Sequence, residues 1–134
     1  MKHLAISLAV LMLMWSGDAQ ADLFKCSINE VKQLGESGEL EETDWTKSLK
    51  KFTPHIVFDS DNSTMRHRKN VTWDDQKFEI IQKGSSQNSL IAIRSFRGVA
   101  RTVFSLFRVK TWDSGLPYLF IEDDSVYTGN CERL

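Results

Sequence analysis

Only two prolines and two cysteines occur in this chain. No proline- or serine-rich tract, internal repeat or low-complexity stretch interrupts it, so nothing marks a linker between domains. A basic excess is also missing. The formal net charge is −1, which argues against nucleic acid or an anionic membrane surface as a partner. The seven glycines form neither a phosphate-cradling loop nor a dinucleotide fingerprint, and no Gly-x-Ser-x-Gly elbow presents a nucleophilic serine. The longest apolar run, Leu4 to Trp15, falls short of the roughly 20 residues that a membrane-spanning helix needs, so no stable membrane anchor is expected.

That run belongs instead to an export segment. Lys2 and His3 precede it, and Ala19-Gln20-Ala21 supplies the small residues that signal peptidase requires. Residues 1–21 therefore read as a signal peptide cleaved before Asp22. Cys26 follows Lys25 rather than a small residue at the end of the apolar run, which disfavours a lipoprotein. Periplasmic or secreted location follows, and residues 22–134 are of a length for one domain. In an oxidising compartment Cys26 and Cys131 have only each other to pair with. Closing a loop of about 100 residues is worth roughly 4.7 kcal/mol on the chain-entropy model. The first and last strands are then neighbours, and a meander joined first to last closes on itself or folds over as a sandwich.

Short alternating runs separated by turn residues predict an all-β antiparallel meander of seven to eight strands, barrel or sandwich. The first strand spans Leu23 to Leu34, with Phe24, Cys26 and Ile28 pointing inward. Gly35-Glu36-Ser37-Gly38 ends it. One short helix is expected from Thr43 to Lys51, capped by Thr43, with Trp45, Leu49 and Phe52 on the stripe that docks over an open barrel end. Strands follow at His55 to Asp59, Thr64 to Arg68 and Lys77 to Lys83. After the long hairpin described next, two more run from Tyr118 to Glu122 and from Val126 to Cys131.

The hairpin occupies Ser89 to Trp112, where two runs rich in Ile, Val, Phe and Thr flank Arg97-Gly98-Val99-Ala100. Pairing Phe96 with Arg101 puts Ile91 opposite Leu106 and Ile93 opposite Phe104, and this set is expected to face the core. A tighter turn would set Arg94 against Arg101, an unfavourable like-charge pair. The other face carries Leu90, Ala92, Arg94, Phe96, Arg101, Val103, Ser105 and Phe107. Apolar groups interleaved with cations are either covered by a second layer or used. From this face Leu90, Arg94, Phe96, Arg101, Val103 and Phe107 are the candidate interaction residues.

Chemistry-bearing clusters are sparse. His55 and His67 lie on two arms of one predicted hairpin, offset along it, and no cysteine is free to complete a zinc site; no metal site is expected. Asp59-Ser60-Asp61-Asn62-Ser63 opens like a calcium loop, but Thr64 stands where the sharp turn needs Gly and Asn70 where a bidentate Glu belongs. Asp74-Asp75 and Glu122-Asp123-Asp124 read as solvated acidic groups beside turns. Neither histidine has an evident carboxylate to orient it, so no catalytic residue and no cofactor are assigned. Charge is segregated, with Arg66-His67-Arg68-Lys69 basic and Glu36 to Asp44 acidic. Asn62 and Asn70 stand in glycosylation sequons, read as unmodified because the Ala-Gln-Ala signal is of bacterial type.

A signal peptide, a cysteine on the first strand, a meander of about 100 residues and a closing Tyr127-Thr128-Gly129-Asn130-Cys131 resemble in layout small exported bacterial β-proteins. Among these are the barrel-type inhibitors of c-type lysozyme and, more broadly, the lipocalin-like barrels. The resemblance implies a small exported barrel. The inhibitors' Ser-Gly-x-x-Tyr loop and the lipocalins' Gly-x-Trp opening have no counterpart, so no functional residue is carried over. The expected function is a non-catalytic binding or interaction module of the cell envelope, engaging an unknown protein through the hairpin face or Arg66 to Lys69. The alternative is a carrier of a small apolar ligand inside a barrel lined by Phe24, Phe58, Phe78, Ile93 and Phe104.

Overall fold

A computed structural model of the chain describes residues 22–67 and 76–134, His67 by its backbone alone. The predicted signal peptide, the end of the basic region at Arg68-Lys69, the sequon at Asn70 and Asp74-Asp75 lie outside the described residues. The described residues form ten strands and one helix in the order β1 (Leu23–Leu34), β2 (Leu40–Glu41), α1 (Asp44–Phe52), β3 (His55–Asp59), β4 (Thr64–His67), β5 (Gln76–Lys77), β6 (Glu79–Gln82), β7 (Leu90–Arg97), β8 (Thr102–Val109), β9 (Pro117–Glu122) and β10 (Ser125–Arg133).

The strands form one antiparallel sheet in the order β5-β4-β3-β1-β10-β9-β8-β7-β6, with β2 attached to β1. Only Phe78 separates β5 from β6, and the two pair with opposite ends of the sheet, β4 and β7. They act as one bent strand that brings those ends together, giving a nearly closed barrel. Phe78 is 4% exposed and meets Phe58 edge to face at 5.9 Å, so the bend is held by core packing. The strand expected from Lys77 to Lys83 is thus broken, with a further register shift between Ile80 and Gln82.

The seam between first and last strands carries the Cys26–Cys131 disulfide, whose residues face each other directly in the ladder. Farther along the seam the pairing shifts between Ile28 and Glu30, which leaves Asn29 as a bulge. Beside it Gly129 lies so close to β1 that a Cβ would collide with the Ser27 carbonyl oxygen and meet the Tyr118 ring at 3.1 Å.

The central hairpin forms where expected, with two differences. Its register is Phe96 with Val103 and Arg97 with Thr102, a slide of two residues that lengthens the loop to Gly98–Arg101 and pairs Arg94 with Ser105. Such a slide leaves each side chain on its own face. The core face, however, is the opposite of the expected one. Leu90, Ala92, Phe107 and Val109 are at most 3% exposed, whereas Phe104 is 47% exposed and Ile91, Ile93 and Leu106 are only half-buried on the outside.

The rows across the sheet explain the inversion. The Ala92–Phe107 pair continues through Phe120 and Tyr127 to Val31, apolar at every step. The Ile93–Leu106 pair continues through Ile121 and Val126 to Lys32, and on its other side meets Glu79. A row ending in two charges belongs in water. Inside, the Phe107 ring stacks on Phe58 at 4.7 Å and meets Tyr118 and Phe120 at 6.1 and 6.5 Å. Phe24, Ile56 and Met65 complete a filled interior.

Thr43 caps α1 as expected, closing a reciprocal pair of bonds with Thr46. The docking stripe differs from Trp45, Leu49 and Phe52. Thr46, Leu49 and Thr53 are buried, while Trp45 and Phe52 are 55% and 66% exposed. Thr46 tolerates burial because its hydroxyl donates to the Thr43 carbonyl while accepting from the Thr43 amide. Trp45 is thereby freed to stand beside the barrel's open end.

Candidate functional site

The inward rows change character toward the end of the barrel where β1, β7 and β9 finish. One row beyond Ala92–Phe107–Phe120–Tyr127 lies Arg94–Ser105–Glu122–Ser125, which ends at Gln33 on β1. The row is polar throughout, and of its five side chains only Ser105 and Ser125 are buried. Arg94, Glu122 and Ser125 of this row line a half-open cleft of about 300 Å³, together with Trp45 and Leu49 from α1, Phe96 and Val103 from the hairpin, and Tyr127 from β10.

Four of the six candidate interaction residues meet here: Arg94, Phe96, Arg101 and Val103 all line the cleft. Leu90 and Phe107 do not. At 3% and 0% exposure they belong to the filled interior, for the pairing reason given above. The sequence reading missed Trp45, Leu49, Tyr127 and the Glu122-Asp123-Asp124 turn as partners of the hairpin. Only knowledge of which strands are neighbours would have joined them.

Charge in the cleft is closely arranged. Arg101 pairs with Asp123 at 2.9 Å, bridging the β7–β8 loop to the β9–β10 turn. The Asp123 amide also donates to the Phe104 carbonyl at 3.0 Å, and the residue has a positive φ of 57°, a conformation Asp tolerates. The Arg94 guanidinium lies 4.4 Å from the centre of the Phe96 ring and has no carboxylate partner among the described residues. Asp124 accepts from Gln33 Nε2 at 2.7 Å, and Thr43 Oγ1 donates to Gln33 Oε1 at 3.4 Å. This chain of bonds ties the helix cap to the acidic turn and sets Trp45 beside it.

Burial, with the Glu122 and Asp124 carboxylates nearby, holds the Tyr127 phenol well above the usual tyrosine range. Burial and the neighbouring Tyr127 do the same to Tyr118. Both shifts favour the neutral phenol. Ser105 Oγ, in a fully buried residue, and Tyr118 Oη have no hydrogen-bond partner among the described residues.

The other clusters do less. The register sets His67 against Ile56 and His55 against Ser27, so the two histidines are not opposite each other. Among the described residues no group of three or more His, Cys, Asp or Glu is placed to hold a metal. The Asp59 carboxylate accepts from the amides of Asp61 and Asn62 and from Asn62 Nδ2 at 2.8 Å, and the Asn62 side-chain bond is the chief cause of its lowered pKa. Those bonds build the β3–β4 turn. The acidic segment, by contrast, reaches the mouth: Glu41 pairs with Gln33 in the ladder, and the Leu34 amide donates to the Asp124 carbonyl at 2.9 Å. Comparison of the chain with protein-family models, curated proteins and solved structures found no match.

Proposed function

We propose that this chain is a non-catalytic binding module of the cell envelope that engages a partner protein through the mouth of its barrel. The observation that carries this reading is the exposure of Trp45 and Phe96, at 55% and 42%, on the rim of a cleft whose walls are tied together by hydrogen bonds and an ion pair. Large aromatics left in water around a concavity are the usual anchors of protein interfaces. Leu34 and Leu40, paired across β1 and β2 and each about half exposed, extend the apolar surface beside Asp124.

An apolar-ligand carrier of lipocalin type has less support. Phe24, Phe58 and Phe78 fill the interior that such a ligand would occupy, and Ile93 and Phe104, expected to line it, lie outside. Export to the periplasm or beyond agrees with the disulfide, which persists in oxidising compartments, and no helix among the described residues is long and apolar enough to cross a membrane.

The test is cross-linking in the native envelope fraction with the wild-type protein and the Trp45→Ala/Phe96→Ala variant, both shown to be folded by near-ultraviolet circular dichroism. Selective loss of a specific adduct in the variant is expected. An unchanged adduct pattern would reject the mouth as the binding surface.

A further inference from the structure

We infer that the mouth cleft is a receptor for an organic cation, a guanidinium or ammonium group on an apolar stem, held between the Trp45 indole and the Asp124 carboxylate. This rests on the reading of the mouth as the binding surface and names the chemistry it selects. Among the charged side chains lining the cleft, Glu122, Asp123 and Asp124 outnumber Arg94 and Arg101. The two arginines already occupy one carboxylate and one aromatic face: Arg101 lies on Asp123 at 2.9 Å, and Arg94 lies on Phe96 at 4.4 Å. These are the two contacts by which a guest cation would itself be recognised.

One member of each kind is left over on the same cleft. Trp45 carries no cation on its ring among the described residues, although an indole face is the best of the aromatic acceptors. Asp124 is bonded only by neutral donors, Gln33 Nε2 at 2.7 Å and the Ser125 hydroxyl at 3.4 Å, so its charge is not neutralised by an ion pair among the described residues. The Gln33 amide links Asp124 to the cap of the helix that carries Trp45. The raised Tyr127 phenol is a second sign of negative potential at this depth, since Glu122 and Asp124 both contribute to it.

Two probes that differ almost only in charge decide the matter: Nα-acetyl-arginine amide and its ureido analogue Nα-acetyl-citrulline amide. Each is titrated into ¹⁵N-labelled protein and followed by two-dimensional NMR, with the Trp45 indole resonance assigned by Trp45→Phe. The arginine probe is expected to shift the Trp45 indole and the Asp124 amide with a Kd on the order of 1 mM, as befits a single anchoring group. Asp124→Asn keeps the acceptor for Gln33 and removes the charge. It is expected to weaken the arginine probe by roughly tenfold, the scale of one desolvated ionic contact. Equal binding of the citrulline probe would overturn the cation assignment and leave the mouth as a binding surface. Absence of binding by either probe, or shifts confined to other surfaces, would overturn it as well. In either case the cross-linking test of Trp45→Ala/Phe96→Ala still decides the broader reading on its own.

Discussion

Replacing Phe107 by Ala tests the inside-out assignment of the hairpin most directly, because the two faces predict opposite results. Phe107 is fully buried, stacked on Phe58 at 4.7 Å and flanked by Tyr118 and Phe120. Losing a ring from such a site costs about 3–5 kcal/mol, the transfer term plus a cavity that neighbouring rings cannot fill. For a domain of roughly 110 residues, with an unfolding entropy near 0.23 kcal/mol/K, a cost of about 4 kcal/mol lowers Tm by about 17 °C. Phe104, three residues away on the same strand and so on the outer wall, is 47% exposed. Its truncation leaves no enclosed cavity and should cost about 1 kcal/mol. Urea denaturation followed by tryptophan fluorescence, with the disulfide intact, measures both variants. Phe104→Ala costing as much as Phe107→Ala, or a loss below about 1 kcal/mol for Phe107→Ala, would refute the assignment.

Three further outcomes are expected. Gly129→Ala forces β10 away from the Ser27 carbonyl beside the Asn29 bulge and should cost about 1–3 kcal/mol, read as a lower urea midpoint with an unchanged slope. Removing the disulfide with the Cys26→Ser/Cys131→Ser pair frees an unfolded-state loop of 105 residues in sequence separation, and should lower stability by up to roughly 4.7 kcal/mol in the same assay. The only two tyrosines, Tyr118 and Tyr127, both have phenols held protonated by burial. Their folded pKa values are raised, so the stability they contribute is complete below the unfolded value near 10 and is lost as pH climbs above it. Tyrosinate absorbance at 295 nm should therefore rise only together with alkaline unfolding; a separate transition near pH 10 in the folded protein would contradict their burial.

Strand positions were legible because they depend on local signals. The bounds of β1 and β3, the Thr43 cap and the first-to-last disulfide all coincide with what alternation, turn residues and the cysteine count imply. The sidedness of β7 and β8 was not legible, since both faces of the hairpin are apolar and alternation cannot rank them. Arg94 and Arg101 marked their face as the one away from the core, to be covered or used. Arg94 is instead on the inward face and Arg101 ends the β7–β8 loop, both at the level where the interior opens to water, so their charge reports the end of the barrel rather than its outside. The site shares this origin: Trp45, Phe96 and Tyr127 come from three distant stretches and converge only through strand order.

One part of that order could have been read further. From Cys26 opposite Cys131, an uninterrupted ladder would carry Ile28 to Gly129 and then Glu30 to Tyr127, turning a carboxylate into the aromatic core. The apolar residues of β1 avoid this by breaking step, at Phe24, Cys26 and Ile28 and then, three residues later, at Val31. A spacing of three in a period of two is what one extra residue produces. The Asn29 bulge accordingly moves Glu30 outward against Thr128, brings Val31 in against Tyr127, and carries Gln33 to the inward position opposite Ser125. From there Gln33 bridges the helix cap and Asp124. The geometry of the mouth thus depends on one inserted residue in the first strand, and the interrupted alternation that betrays it is present in the sequence.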